Sequence, residues 1–100
     1  MVADKEVRLC VPIGHVIVNK RIVRNKEKVG YFYRETPDND KDSGWRFFTG
    51  TETQEYADNA DNFMLYKASK LVEIHPEIEE YLLENSPVEF EWDGSKYVKI

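Results

Sequence analysis

Cysteine and long apolar runs are both scarce in this sequence. Cys10 is the single cysteine among 100 residues, so the chain cannot form an internal disulfide, and it lacks the paired cysteines of a structural zinc site. No stretch approaches the ~20 apolar residues of a membrane-spanning helix, and the first ten residues, MVADKEVRLC, contain no apolar run long enough for a signal peptide. We therefore expect a cytoplasmic protein that does not enter a membrane.

Positive charge is also in short supply. The chain has 14 Lys and Arg against 19 Asp and Glu, which gives a formal net charge of -5 at pH 7. Proteins that bind nucleic acids contact the phosphates through a clustered excess of Lys and Arg. This composition argues against DNA or RNA as a ligand.

Residues able to perform catalysis are few and dispersed. His15 lies in an apolar segment and His75 directly precedes a proline, so both are expected to be structural rather than general bases. Cys10 stands between two apolar residues, whereas a reactive thiol needs an electropositive, partly exposed setting. We predict that the protein is not an enzyme and uses no cofactor.

A partial calcium-loop pattern is present but incomplete. Asp38, Asp40 and Asp42 occupy the first, third and fifth positions of such a loop, where oxygen ligands would converge on the ion. Ser43 stands where that loop needs glycine, and Thr49 stands where it needs the bidentate glutamate. We therefore expect a solvated turn and no metal site.

The composition itself indicates one globular domain over residues 1–100. Hydrophobic residues make up 41% of the chain and charged residues 33%, which is ordinary for a folded protein. A chain of this length can bury a single core without a metal or a disulfide.

Apolar and β-branched segments alternate with turn signals along the chain. They predict a strand at residues 13–19, extended by Ile22 and Val23, and two paired aromatic strands at 29–35 and 44–49. A long polar loop with one helical turn is expected at 51–62. Further strands are predicted at 7–11, 63–66, 88–92 and 96–100, and short helices at 67–74 and 75–83.

The C-terminal segment is expected to form a β-hairpin about Asp93-Gly94. A two-residue loop would make Phe90 the cross-strand partner of Tyr97, whereas an odd-length loop would place Phe90 on the same face as Val98. We predict the odd register, because it keeps one face apolar. Together the elements predict an α+β fold: a single domain, mainly antiparallel β-sheet, with one or two short helices packed on one face and this hairpin at the end.

Charge is segregated along the chain. Residues 20–28 contain five basic side chains and one acidic one, whereas residues 35–61 contain eight acidic side chains and two basic ones. Two interpretations are open: a pair of solvated loops of opposite sign, or an acidic contact surface.

Three segments carry a resemblance to a known family. They are VGYFYRETPDNDKDSGWRFFTG at residues 29–50, EYADNADNFMLY at 55–66 and HPEIEEYL at 75–82. With them the chain resembles a bacterial family of small domains, domain of unknown function 2185, also classed as the immunity protein 33 type of polymorphic toxin systems. The resemblance covers roughly the last three quarters of the chain and is clearest over 29–94.

The resemblance implies an α+β domain that binds and neutralises a secreted toxin without catalysis. The alternative is a housekeeping module that binds a small ligand or a cellular protein. An acidic loop beside exposed aromatics suits the first function, since it can steer onto a basic protein and then anchor it. The expected partner-binding residues are Asp38, Asp40, Asp42, Glu52, Glu55, Tyr56, Asp58, Asp61 and Asn62.

A second group of residues is expected to support these loops. Arg34 and Arg46 lie inside the aromatic strands, and we predict that carboxylates such as Glu35, Asp42 or Asp61 hold both guanidinium groups. Trp45 is assigned to the same supporting group; burial in the core is the alternative.

Overall fold

Six strands form one sheet in residues 14–100, the part of the chain that the computed structural model describes. In chain order they are β1 (His15–Asn19), β2 (Tyr31–Arg34), β3 (Asp42–Phe48), β4 (Phe63–Lys67), β5 (Val88–Trp92) and β6 (Tyr97–Lys99). Their order across the sheet is β4-β1-β3-β2-β5-β6. Neighbouring strands are antiparallel except β1 and β3, which are parallel. The predicted α+β fold with a mainly antiparallel sheet is confirmed, whereas the strand predicted at 7–11 lies outside the described residues.

Short helices connect the strands. They are α1 (Lys20–Arg24), α2 (Gln54–Asp58), α3 (Ala68–Ile74) and two 3₁₀ helices, Ala60–Asn62 and Pro76–Tyr81. Within residues 14–100, none of them has the length and apolar character needed to cross a bilayer.

The helix α1 replaces the predicted strand extension at Ile22 and Val23. The Asn19 side chain accepts a hydrogen bond from the backbone N–H of Arg21 at 2.9 Å and so caps the helix N-terminus. One turn then buries Ile22 completely. The prediction failed because a side-chain cap and one buried contact outweigh the β propensity of two residues.

The segment predicted as a helix at 75–83 is a 3₁₀ helix over most of its length. The backbone N–H of Leu82 donates to the carbonyl of Glu79, an i to i+3 bond. Spacing by three places Ile78 and Tyr81 on one side, and Ile78 is fully buried.

One face of the sheet holds the core, and α3 and the second 3₁₀ helix cover it. Phe32 lies at its centre, with the rings of Phe47 and Phe90 stacked at centroid distances of 5.2 and 5.1 Å. Trp45 is fully buried there, and its Nε1 donates to the carbonyl of Leu82 at 3.0 Å. This bond fixes the sheet to the segment that covers it.

The register of the C-terminal hairpin differs from the prediction. Trp92 pairs with Tyr97, so residues 93–96 form the loop and Phe90 shares a face with Tyr97. Tyr97 is buried, and its hydroxyl donates to the carbonyl of Val29 at 2.6 Å. The odd register is therefore wrong, because the Tyr97 ring and its long-range hydrogen bond belong to the core face.

Candidate protein-binding surface

The side of the sheet opposite α3 is here called the open face. Side chains alternate between the two sides of a strand, and strand register places Leu65, Ile17, Arg46 and Tyr33 in one row across four strands. Phe63, Asn19, Phe48 and Tyr31 lie in the next row. Over these four strands the open face is thus mostly apolar and aromatic, with the Arg46 guanidinium in its middle. Glu89 and Glu91 continue the two rows on β5.

A groove of about 410 Å³ crosses the open face. Its floor includes Ile17, Arg46 and Leu65, and its wall includes Ala57 and Ala60 from α2 and the 3₁₀ helix that follows it. Volumes of this size are typical of sites that hold a ligand or an anchoring side chain. Leu65 is 56% exposed despite its size, so its apolar surface is available at the groove.

Four aromatic rings line and flank this groove. Phe48 stacks on Tyr33 with ring centroids 5.9 Å apart and meets Phe63 edge-on at 5.4 Å. Tyr31 lies 5.8 Å from Phe48 and 5.9 Å from Tyr33, so these three rings form a triangle. All four are half-buried. They hold one another in fixed positions while leaving part of their apolar surface in contact with solvent.

Arg46 is the charged centre of the open face. Its guanidinium donates to both carboxylate oxygens of Asp42, at 2.8 and 2.9 Å, and to Glu35 at 2.8 Å. Asp38 lies at 3.7 Å. The Arg46 and Asp42 side chains are only 6% and 4% exposed, so this bidentate ion pair is shielded from water.

The hydrogen bonds from Arg46 hold the pKa of Asp42 well below its usual range, although burial opposes this effect. The bonds to Asp42 likewise raise the pKa of Arg46. Both groups are therefore charged at neutral pH. Since three carboxylates face one guanidinium, two negative charges are left over, and they belong to Glu35 and Asp38, whose side chains are 50% and 74% exposed.

The turn between β2 and β3 positions this cluster. Gly44 has φ of +92°, and a side chain there would overlap the carbonyl oxygen of Glu35. The backbone N–H groups of Asp38 and Gly44 donate to the Asp42 carboxylate at 2.8 and 2.9 Å. Ser43 bonds to the carbonyl of His15 at 2.7 Å, where the register between β1 and β3 shifts. The turn thus directs Asp42 inward towards Arg46.

Residues 49–53 fix the start of the groove wall. The Glu52 carboxylate accepts hydrogen bonds from Asn19 Nδ2 and the Thr49 N–H, both at 2.7 Å, and from the Gly50 N–H at 3.0 Å. Burial acts to raise the pKa of Glu52, but these hydrogen bonds lower it further than burial raises it. The Thr53 side chain then caps α2.

Tyr56 fastens α2 to the sheet. Its hydroxyl donates to Asn19 Oδ1 at 3.0 Å, and its ring meets Phe63 edge-on at 6.2 Å. The Arg21 guanidinium lies 4.8 Å from the same ring. Asn62 closes the segment by donating to the Tyr56 carbonyl at 2.9 Å. The wall of the groove is therefore preorganised by the chain itself.

Comparison with known protein families decides the classification. A family model described as the immunity protein Imm33 domain matches residues 16–99. The chain belongs to this immunity protein family. No curated protein and no solved structure matches it.

The structure separates the expected partner-binding residues of this Imm33 domain into two sets. Asp42, Glu52, Tyr56 and Asn62 are buried or half-buried and bond to the chain's own groups, so they build the surface rather than form its outer layer. The exposed set is Asp38, Asp40, Glu55, Asp58 and Asp61. Glu55, Asp58 and Asp61 belong to the two helices that supply the groove wall, and Asp38 and Asp40 belong to the turn before β3.

The supporting residues also differ from expectation in one case. Arg46 is held by carboxylates, in agreement with the prediction. Arg34 instead donates to the carbonyl oxygens of Ser43 and Glu84, at 2.9 and 2.8 Å, and burial lowers its pKa. Arg34 lies on the core face because it is adjacent to Tyr33 in β2, and successive side chains of a strand project from opposite faces. Trp45 is a core residue of the Imm33 domain.

His75 and the calcium-like acidic turn of the Imm33 domain make contacts within the fold. His75 is buried, with Nε2 at 3.0 Å from the Ile22 carbonyl and Nδ1 at 3.3 Å from Glu77. In residues 14–100, no group of three His, Cys, Asp or Glu side chains converges as metal ligands would. Asp42, the third member of the calcium-like pattern, is bonded to Arg46. Cys10 lies outside the described residues.

Sequence reasoning missed the apolar half of this surface. Leu65, Ile17, Phe48 and Phe63 were not among the expected contact residues. The available signal was the alternation in β2, which places Tyr31 and Tyr33 opposite the core residue Phe32. Two large aromatics on the non-core side of a strand indicate that the second face is not simply solvated.

Proposed function

We propose that this Imm33 domain is an immunity protein that binds a cognate bacterial toxin in the cytoplasm and neutralises it by occupying its surface, without catalysis. The family membership supports the class of function. The observation that carries the proposal is the preorganised aromatic groove with exposed carboxylates around it. A partner with a basic, partly apolar surface complements both features.

Charge and apolar area have separate effects in such a complex. The exposed carboxylates attract a basic protein over about one Debye length, ~8–10 Å at physiological salt, and so increase the association rate. The half-buried aromatics then lose their remaining contact with water, and such anchors dominate the dissociation rate. Because the aromatic cluster is already ordered by its mutual contacts, little conformational entropy is lost on binding.

The test is the binding kinetics of the purified protein with the product of the neighbouring toxin gene, at low and at physiological salt. The variant is Asp58→Lys with Asp61→Lys, two exposed acids beside the groove wall. The matched control is Glu73→Lys with Glu80→Lys, two exposed acids on the helices that cover the other face. Both pairs change the net charge by the same amount.

We expect the groove-side pair to slow association by about tenfold at low salt and to weaken its salt dependence, because local potentials change steered rates on this scale. The control pair should slow association much less. Equal rates for both pairs would place the contact surface elsewhere. If the wild-type protein does not bind the toxin, the immunity function itself is refuted, and the housekeeping alternative gains support.

A further inference from the structure

The groove on the open face has an apolar floor, and two partly exposed carboxylates lie beside the Arg46 side chain that lines it. We infer that the groove accepts one apolar side chain of the toxin that has a lysine or arginine within two positions in sequence, with the cation placed at Glu35 and Asp38. This inference rests on the proposed function and names the chemistry of the partner segment. The apolar part and the charged part have independent support in the structure.

The apolar part follows from what the groove leaves exposed. Leu65 and Ile17 lie side by side on adjacent strands at the floor, and Phe48 and Phe63 continue the same surface. Leu65 alone exposes 56% of its area. Covering such carbon surface with another carbon group is favourable, whereas a polar group placed there would lose its hydrogen bonds to water.

The charged part follows from the three carboxylates that surround the Arg46 guanidinium. Asp42 binds the guanidinium with both oxygens and is almost fully buried, so this pair is close to neutral as seen from the groove. Glu35 and Asp38 remain as two partly exposed carboxylates. An occupant that extended over these carboxylates without a cation would remove water from them and return no hydrogen bond, while an anionic occupant would be repelled.

The two parts are within reach of nearby residues of one partner segment. Arg46 lines the groove and also contacts Glu35 at 2.8 Å, so the carboxylates are separated from the apolar floor by a single side chain. In an extended segment, side chains two positions apart project to the same side and are ~6.6 Å apart along the chain. The apolar side chain and the cation can therefore come from residues within two positions of each other.

A second copy of this chain is a poorer occupant. The protein carries a net charge of -5, and pairing two open faces would bring the carboxylates of both copies together. Like charges across an interface oppose association. The charge distribution favours a basic partner over a homodimer through this face.

A first experiment tests the groove without any toxin. Methyl resonances of Leu65 and Ile17 are followed by NMR during titration with hexylammonium, hexanol or hexanoate, and the equally exposed Leu83, at 55%, is the control. Hexylammonium should bind about three- to fivefold more tightly than hexanol, and hexanoate more weakly than hexanol, as expected for a partly exposed ion pair. No shift at Leu65, equal shifts at Leu83, or tighter binding of hexanoate would each refute the inference.

A second experiment uses the product of the neighbouring toxin gene. Leu65→Ser should raise the dissociation rate by about tenfold, whereas Leu83→Ser, a truncation at equal exposure, should leave it within twofold. If the toxin binds and the two variants dissociate alike, the groove inference fails while the immunity function stands. Concentration-dependent dimerisation that Leu65→Ser abolishes would instead assign the groove to a second copy, contrary to the inference.

Discussion

Replacement of Asp42 by alanine is the most direct test of how the open face is built. The Asp42 carboxylate accepts two hydrogen bonds from the guanidinium of Arg46 and one each from the backbone N–H groups of Asp38 and Gly44. Both members of the ion pair are nearly inaccessible to water. The substitution therefore leaves a buried cation with half of its partners removed.

The expected cost can be estimated from these contacts. Removing one partner of a buried ion pair destabilises a protein by about 3–5 kcal/mol, and a buried backbone N–H left without an acceptor adds about 1–3 kcal/mol. Arg46 retains its bond to Glu35, which offsets part of the loss. We expect about 4 kcal/mol, a large fraction of the ~5–15 kcal/mol that stabilises a domain. The melting temperature should fall by about 15–30 °C.

The assays are thermal melting and denaturant unfolding between pH 3 and pH 7, with Asp40→Ala as the control from the same segment. Asp40 is exposed, so its removal should cost less than about 0.5 kcal/mol. The pKa of Asp42 is lower in the folded state than the value of about 3.9 in unfolded chains. Its stabilisation is therefore complete above that unfolded value and is lost as the pH falls below it. The difference between wild type and Asp42→Ala should narrow below about pH 4.

Two results would refute this reasoning. If Asp42→Ala melts within a few degrees of Asp40→Ala, the ion pair does not support the turn. If the wild-type protein and Asp42→Ala lose stability in parallel below pH 4, Asp42 is not the group whose protonation destabilises the fold.

Two further predictions concern the strand that follows this turn. Gly44→Ala should lower the free energy of unfolding by more than about 3 kcal/mol, because the new side chain overlaps the Glu35 carbonyl. The control is Gly94→Ala, where φ is +109° but the space is open, so only about 1–2 kcal/mol of strain is expected. Similar melting temperatures for the two variants would contradict this. Trp45→Phe should cost about 2–4 kcal/mol in urea unfolding through a cavity and the unpaired Leu82 carbonyl, and a cost below 1 kcal/mol would show that this bond does not fix the sheet to its cover.

Local patterns were sufficient for most of the sheet. The alternation in β2 and the aromatic run in β3 predicted two paired strands, and their register confirms it. The hairpin register was not predictable in this way, because it depends on a distant contact, the Tyr97 hydroxyl reaching Val29, 68 positions earlier in the chain. The helix α1 was missed although its signal is local, since the capping residue Asn19 directly precedes it.

The candidate surface was predictable only in part, because the direction of its side chains depends on contacts between segments far apart in the chain. Composition showed that acidic side chains concentrate in residues 35–61, but it could not show which of them point inward. Asp40 and Asp42 are two positions apart in one turn, yet only Asp42 meets Arg46. That difference depends on the close approach of Gly44 in β3 to the Glu35 carbonyl and on the parallel pairing of β1 with β3, and no local pattern encodes either of them.

The carboxylates around Arg46 differ in burial, and the proposed function gives them different roles in folding and in partner binding. Asp42 is buried and satisfies the guanidinium, so Glu35 and Asp38 are not needed to keep that charge paired. A partner cation can therefore bind these two carboxylates without leaving Arg46 unpaired in the sheet. Under the proposed function, substitutions at Asp38 should alter the choice of partner at little cost in stability, whereas substitutions at Asp42 or Arg46 should disrupt the groove floor. Replacement of Glu35 should also cost stability, because the nearly buried Nε of Arg46 donates to its carboxylate at 2.8 Å.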